Sequence, residues 1–182
     1  MQGGALRVEV VRGLDRWLAA LAIRAVVYVG EQDYSIGEEF DGADLAGATH
    51  LLALEGDEPV GACRIRWYAD FAKLERVAVK RAQRSGRVTR ALWRAGAELA
   101  SRKGYRLMLG HIERRLLPFW ERAAGFRARA NRASYWLNQR EFVEAIAELP
   151  PHPEAICLNS PAAILLEGDA AYASPQPMLR AS

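Results

Sequence analysis

The stretch that decides the fold is LERVAVKRAQRSGRVTRAL, residues 74–92. Val77 and Val79 alternate with other residues, which predicts a short strand. From residue 88 onward, apolar residues recur on one face of a helix, namely Val88, Leu92, Ala95 and Leu99. The basic turn between them contains one glycine. A strand that turns sharply into a helix directs unpaired N–H groups and a positive dipole end at one point, which favours a bound phosphate. A solvated basic turn is the alternative.

Residues 74–92 resemble the acyl-CoA-binding core of the GCN5-related N-acetyltransferase family. In that family a strand precedes a loop of the form Arg/Gln-x-x-Gly-x-Gly/Ala, which cradles the pyrophosphate of coenzyme A. The register that we prefer starts at Arg84 and places Arg87 and Thr89 at the two glycine positions. The other register starts at Gln83 and restores one glycine, Gly86. We expect Arg87 and Thr89 to supply side-chain donors in place of close backbone approach, and a changed acyl carrier is the alternative.

The resemblance implies that acetyl-CoA or another acyl-CoA is the cosubstrate. Its pyrophosphate would lie on the turn at residues 84–90, its pantetheine would follow residues 77–79, and one tryptophan would lie nearby. The residues implied for coenzyme A are Val77, Ala78, Val79, Arg84, Ser85, Gly86, Arg87, Val88, Thr89, Arg90 and Trp120.

Two further stretches resemble the same family. The first is IRAVVYVGEQ at residues 23–32, followed by FDGAD at 40–44, and it is similar to the amino half of a small acetyltransferase subgroup. Acyl-homoserine lactone synthases begin in a roughly similar way. The second is PFWERAAGF at 118–126, which resembles the closing motif Phe-Tyr-x-x-x-Gly-Phe. Family members commonly carry, four residues before that glycine, a tyrosine that acts as general acid to the CoA thiolate. This chain has Glu121 at that position.

The rest of the chain predicts an α+β fold with a GNAT-like mixed, mostly antiparallel sheet and helices on both faces. Asp15 is the expected N-cap of the first helix. We expect one domain over residues 1–149. Residues 150–182 form a C-terminal extension that packs on this domain, or on a partner subunit in a homodimer. The remaining predicted strands are 6–10, 49–54, 59–67, 106–111, 134–137 and 142–149, and the predicted helices are 16–28, 88–102 and 116–124.

Composition narrows the class of protein. The 182 residues carry a net charge of +3, and the basic residues concentrate at 80–94. No nucleic-acid motif accompanies that charge, so we do not expect nucleic acid as a partner. The two cysteines, Cys63 and Cys157, are expected to be reduced thiols in a cytoplasmic protein. No apolar run is long enough to cross a bilayer, and no metal-ligand spacing occurs.

Two residues are candidates for catalysis. Acyl transfer from a thioester to an amine needs a base for the ammonium, donors for the oxyanion and a proton for the leaving thiolate. Glu75 begins the anchor strand, where several family members hold a glutamate base; an ion pair with Arg64 or Arg66 is the alternative. His111 ends the next strand and titrates near neutral pH, and a structural role is its alternative.

Other charged residues are expected to have structural roles. We expect His50 to be a core or capping residue. The acidic residues before the second strand suit a solvated loop, and attraction of a cationic amine is the alternative. They are Glu31, Glu38, Glu39, Asp41 and Asp44.

The sequence therefore predicts an N-acyltransferase that moves an acyl group from acyl-CoA directly to a small-molecule amine. One alternative is a synthase of N-acyl amino acids or acyl-homoserine lactones that takes its acyl group from an acyl carrier protein. The altered glycines favour it, and so does the basic helix face, where an acidic carrier would dock. A catalytically inactive acyl-CoA-binding domain is the other alternative, because the closing motif lacks its tyrosine.

Overall fold

Apolar alternation produces one eight-stranded sheet in the computed structural model, which describes residues 4–166. The strand order is β1-β2-β3-β4-β5-β8-β6, and β7 also pairs with β8. Only the β4–β5 pair is parallel, which confirms the mixed, mostly antiparallel sheet. The strands are β1 Leu6–Val10, β2 Thr49–Glu55, β3 Glu58–Trp67, β4 Ala72–Val79, β5 Leu107–Glu113, β6 Arg127–Ala128, β7 Tyr135–Leu137 and β8 Arg140–Glu148.

Six α-helices are found in the described residues. They are α1 Gly13–Arg24, α2 Gly30–Gln32, α3 Ile36–Glu39, α4 Arg87–Arg102, α5 Leu117–Ala124 and α6 Ala162–Leu166. The prediction that Asp15 caps the first helix is wrong, because α1 begins at Gly13 and Asp15 lies in its first turn. A π-helical turn, Ala25–Val29, continues α1 and changes the direction of its side chains.

The two faces of the sheet carry separate cores. On one face, α4 buries Val88, Leu92 and Leu99 against the apolar side of the central strands. On the other face, α1 packs Ala20 and Ile23 against the sheet. Helices therefore cover both faces, as the sequence predicts, and the central strands are apolar on both sides because both are buried.

Strand β4 is irregular at its centre. Its pairing with β3 shifts between Ala62↔Ala78 and Arg64↔Glu75, so that β4 carries an extra residue there. Arg76 lies at this bulge with a φ of 55°, in the left-handed region that few residues other than glycine adopt. The bulge bends the strand just before Val77.

The extension contacts the domain through its first part. The Ile156 N–H donates to the Arg102 carbonyl over 2.7 Å, and the side chains of Ile156 and Ile164 pack against the α4-side core. The prediction for residues 167–182 lies outside the described residues. Cys63 is buried and Cys157 exposed, and both are free thiols. Within residues 4–166, no helix has the length and apolarity needed to span a bilayer.

Candidate active site

The candidate site is the opening between β4 and β5. These strands pair from Ala72↔Met108 to Leu74↔Gly110 and then separate, although both continue for several residues. Beyond Leu74, the β4 edge that faces β5 has no strand partner in the described part of the chain. Main-chain N–H groups at such an edge are available to an extended ligand. The carbonyls of Val77 and Val79 already accept side-chain hydrogen bonds, from Tyr28 and Arg84.

Side chains hold the bulge of β4 in place. The Arg76 guanidinium donates to the Glu38 carbonyl over 2.7 Å and pairs with the buried Glu39 carboxylate at 3.1 Å. From the π-helical turn, the Tyr28 hydroxyl donates to the Val77 carbonyl over 3.0 Å. These contacts offset the strain of about 1–3 kcal/mol that a left-handed residue other than glycine carries. The opening therefore has a fixed β4 wall.

Two arginines with no solvent exposure, Arg24 and Arg64, connect this wall to the first helices. Arg24 pairs with Glu39 and Asp44, each at 2.6 Å. Arg64 pairs with Asp41 at 2.6 Å and with Asp44 at 2.8 Å. We call this set, with Glu75, Arg76 and Lys73, the charge network.

The charge network sets the titration of its carboxylates. Hydrogen bonds from Arg64 lower the pKa of Asp41 to about 2. Burial alone would raise the pKa of Asp44, but hydrogen bonds from Arg24 and Arg64 bring it below its ordinary value. The prediction of a solvated acidic loop is wrong for Glu39 and Asp44, which are buried. His50 is buried beside Asp44, where desolvation lowers its pKa, so its expected core position is confirmed.

Glu75 belongs to the charge network as well as to the opening. Its carboxylate accepts a 3.0 Å hydrogen bond from Arg64 and pairs with Lys73 at 3.0 Å, and Arg66 lies 3.8 Å away. The side chain is 11% exposed. The structure thus shows the cross-strand ion pair that the sequence offered as the alternative, and a role as base stays a prediction.

His111 is the first β5 residue beyond the paired segment. Because Met108 and Ile112 face the α4-side core, alternation places His111 on the opposite face, toward Glu75. Its Nδ1 lies 2.6 Å from the Tyr135 hydroxyl of β7. The His111 side chain is exposed by surface area, and its partial desolvation together with the nearby Lys73 charge lowers its pKa. Sequence reasoning missed Tyr135, since its contact with His111 depends on strand order and no motif contains both.

The turn after β4 differs from the preferred sequence register. Gly86 has a φ of 84° and is the N-cap of α4, which begins at Arg87, one residue earlier than expected. A glycine is needed at this left-handed position. The geometry therefore favours the register that starts at Gln83, with Gly86 as its first glycine and Val88 in place of the second.

Arg84 and Arg87 are engaged within the chain. Arg84 donates to the Val79 carbonyl over 2.8 Å and pairs with Glu31 at 2.7 Å. Arg87 pairs with Glu55 at 2.9 Å. Both guanidinium groups thus already have partners within the chain, whereas the sequence predicts that they donate hydrogen bonds to the pyrophosphate. Trp120 also differs from its expected place beside coenzyme A, because it is buried in the core with its ring edge-on to Phe126, 5.7 Å between centroids.

The turn nevertheless fits a diphosphate. The first helical hydrogen bond of α4 runs from the Arg90 N–H to the Gly86 carbonyl, and the N-cap residue, Gly86, has no side chain with which to cap the amides of residues 87–89. A Cβ added at Gly86 would lie 2.8 Å from the Arg90 guanidinium and 3.1 Å from the Phe119 ring. A glycine, three amides and an arginine therefore converge at the end of β4. In residues 4–166, no cluster of three or more His, Cys, Asp or Glu side chains suits a metal ion.

Known proteins share this architecture. The family model described as "Acetyltransferase (GNAT) family" matches residues 17–126. The uncharacterized N-acetyltransferase YjcF of Bacillus subtilis is 26% identical over 140 residues, which cover 77% of this chain and 93% of that protein. A candidate N-acetyltransferase structure from Lactobacillus plantarum superposes with a TM-score of 0.73 at 25% identity, covering 81% of this chain and all of that one.

The CoA-dependent acyl-homoserine lactone synthase BjaI, solved with SAM and isopentyl-CoA, has a TM-score of 0.67 at 19% identity. This match covers 80% of the present chain and 84% of BjaI, and it shows a shared fold. The family model covers more than half of the chain, and the helix-capping glycine lies where the register that starts at Gln83 places it. The chain belongs to the GNAT family of acetyltransferases.

Proposed function

We propose that this N-acyltransferase moves an acetyl or longer acyl group from acyl-CoA to a small-molecule amine by direct transfer. The observation that carries the proposal is that β4 has no β5 partner beyond Leu74 and that the chain then turns, through Gly86, into the N-terminus of α4. An extended thioester with a diphosphate at one end has the shape and charge of that path.

Each part of the cosubstrate has a place on this path. The amides of residues 87–89 and the Arg90 guanidinium would hold the pyrophosphate, and the pantetheine would pair with the β4 edge at residues 77–79. An N–H of that edge would then polarise the thioester carbonyl and stabilise the oxyanion. Arg84 shapes the turn by bonding Val79 and Glu31. We assign Trp120 to packing.

The two cysteines support direct transfer without an acyl-enzyme. Burial raises the pKa of Cys63 to about 12, so that its thiol stays protonated and unreactive. Cys157 lies in the extension, 3.8 Å from the Ser160 hydroxyl, and is separate from the opening. Neither thiol is placed as a nucleophile toward β4.

Glu75 and His111 lie at the end of the opening where the acyl carbonyl would meet the amine. Glu75 belongs to the charge network and would act on the ammonium through a water molecule, if it is the base. The amine would approach over the face of the sheet that α1 leaves uncovered, beside His111.

The donor is tested by isothermal titration with acetyl-CoA, longer acyl-CoAs and free coenzyme A. We then expect release of free thiol when the tightest donor is mixed with a panel of amines. The same donors attached to an acyl carrier protein test the synthase alternative, for which the carrier must be the faster donor. Tight CoA binding without turnover across the panel would establish the inactive-domain alternative, and absence of CoA binding would overturn all three.

A further inference from the structure

Strand β7 brings a tyrosine to the candidate site from outside every family-like motif. The Tyr135 hydroxyl lies 2.6 Å from His111 Nδ1, and the two rings meet edge-on with centroids 5.6 Å apart. The Tyr135 ring also stacks on Phe142 of the paired strand, at 5.8 Å and 18°. Two strands and a stacked ring therefore fix the direction of the hydroxyl.

The chemistry of the two groups determines which one donates. A phenol O–H is a good donor, and a neutral imidazole nitrogen is a good acceptor. Both side chains are partly exposed; their partial desolvation raises the pKa of Tyr135 and, together with the Lys73 charge, lowers that of His111, so that near neutral pH the phenol keeps its proton and the imidazole is uncharged. The hydroxyl then donates to Nδ1, and the ring proton of His111 lies on Nε2.

The charged groups around the pair are of both signs. His111 interacts with Lys73, Glu75 and Glu144, and Tyr135 interacts with Glu144 and Tyr34. Glu144 is itself paired with Arg129 at 2.9 Å. Glu121, at the position where the closing motif of the resembling family carries its tyrosine, is exposed on α5. The His111–Tyr135 pair is therefore a neutral donor system that borders the opening from the β5 side.

We propose that His111 and Tyr135 form a proton relay that delivers a proton to the leaving thiolate of the acyl donor. This inference rests on the proposed function. His111, the first β5 residue beyond the paired segment, would be the catalytic residue and donate from Nε2. Tyr135 is the positioning residue that returns a proton to His111 Nδ1.

The relay balances in protons and charge. As the carbon–sulfur bond breaks, the Nε2–H bond of His111 breaks and an S–H bond forms. At the same time the O–H bond of Tyr135 breaks and an Nδ1–H bond forms. The proton that the acceptor ammonium gives to solvent forms a new O–H bond on Tyr135, so no phenolate is left at a group whose pKa is raised. Tyr135 is 38% exposed, so solvent can reprotonate it. The tautomer of His111 then reverts by proton exchange with water.

The test compares Tyr135→Phe, which keeps the stacked ring, with the control Trp136→Phe. Trp136 is the neighbouring residue on β7 and is 70% exposed. For Tyr135→Phe we expect kcat to fall about 10- to 100-fold, a modest share of what general acids contribute, with the KM for acyl-CoA within about twofold. Trp136→Phe is expected to match wild type in both constants.

Nitrogen-15 NMR of the imidazole rings reports the tautomer and the pKa of His111, which would not change in Tyr135→Phe if Tyr135 served only for packing. Wild-type His111 should show the Nε2–H tautomer, with its signal assigned from a His111→Gln sample. Because the donated hydrogen bond stabilises the neutral ring, its loss in Tyr135→Phe should raise the pKa of His111.

An Nδ1–H tautomer, an unchanged His111 pKa in Tyr135→Phe, or equal kcat losses in both variants would overturn the relay. Those results in an active wild-type enzyme would leave the proposed function standing. A wild-type protein that transfers no acyl group removes the function and the relay together.

Discussion

Replacing Gly86 by alanine tests whether the turn before α4 is the proposed pyrophosphate site, because its effect on stability can be compared with its effect on coenzyme A affinity. Gly86 has a φ of 84°, where an L-residue costs about 1–2 kcal/mol relative to its preferred conformations. The new methyl would lie 2.8 Å from a guanidinium nitrogen of Arg90 and 3.1 Å from the Phe119 ring. The first neighbour is the end of a flexible side chain, so Arg90 should shift and the protein should still fold.

Gly104→Ala is the matched control. Gly104 lies just beyond the other end of α4 with a φ of 91°, and nothing lies within 4 Å of a Cβ added there. Both variants should therefore lose about 1–2 kcal/mol of unfolding free energy. For a chain of this size each kcal/mol lowers Tm by about 2–4 °C, so thermal unfolding should show similar losses for the two.

Coenzyme A affinity should distinguish the variants. In Gly86→Ala the methyl would occupy the space proposed for the diphosphate beside the amides of α4, and Arg90 would be displaced. We expect the Kd for coenzyme A to rise at least tenfold, which corresponds to about 1.4 kcal/mol, and to stay unchanged in Gly104→Ala. Isothermal titration calorimetry measures both. Equal affinities for the two folded variants would refute the assignment of the turn as the pyrophosphate site.

The charge network supports three further predictions. Arg64→Met should lower the unfolding free energy measured in urea by about 3–5 kcal/mol, because it leaves buried carboxylates without their partner. The control Arg87→Met, at an exposed pair, should cost less than about 1 kcal/mol; similar losses in the two variants would contradict the role of Arg64. Glu75→Gln should lower kcat and leave CoA affinity unchanged, and full activity would leave Glu75 only its ion pairs. The pKa of Asp41 falls from 3.8 to about 2 on folding, so its ionisation adds stability above about pH 4, and this stability disappears toward pH 2. Asp41→Asn should flatten the pH–stability curve between these values. A curve that keeps its wild-type slope there would count against the pairing.

The sheet and α4 could be predicted because their residues follow a local period. Strands such as Leu6–Val10 alternate, and the spacing from Val88 to Leu99 repeats along one helix face. The turn register could not be resolved in the same way, since a basic turn tolerates a shift of one residue. The positive φ of Gly86 depends on where the helix begins, and α4 begins one residue before the first apolar position that marks it.

Apart from the Arg64–Glu75 pair, the charge network could not be predicted, because its arginines lie 15 to 37 residues from their partners and share no common period with them. Asp41 and Asp44 stand in a polar stretch that is typical of a solvated loop, and they are drawn inward by the arginines. The two residues from which the charge network could have been inferred are its buried arginines. Arg64 interrupts the apolar run of β3 in a strand buried on both faces, and Arg24 follows Ile23 on α1. A charge at such a position is seldom buried without a partner.

The charge network and the opening are parts of one arrangement. Its four cations, Arg24, Arg64, Lys73 and Arg76, are matched by four carboxylates, Glu39, Asp41, Asp44 and Glu75. This neutrality makes burial tolerable, although a well-packed apolar core would be as stable. An apolar core would not provide the contacts of the Arg76 guanidinium with the Glu38 carbonyl and the Glu39 carboxylate. These contacts hold Arg76 in its left-handed conformation inside the strand. The bulge in turn bends β4 beyond its paired segment with β5, so the buried charges are the reason that a free strand edge persists where the thioester is proposed to lie.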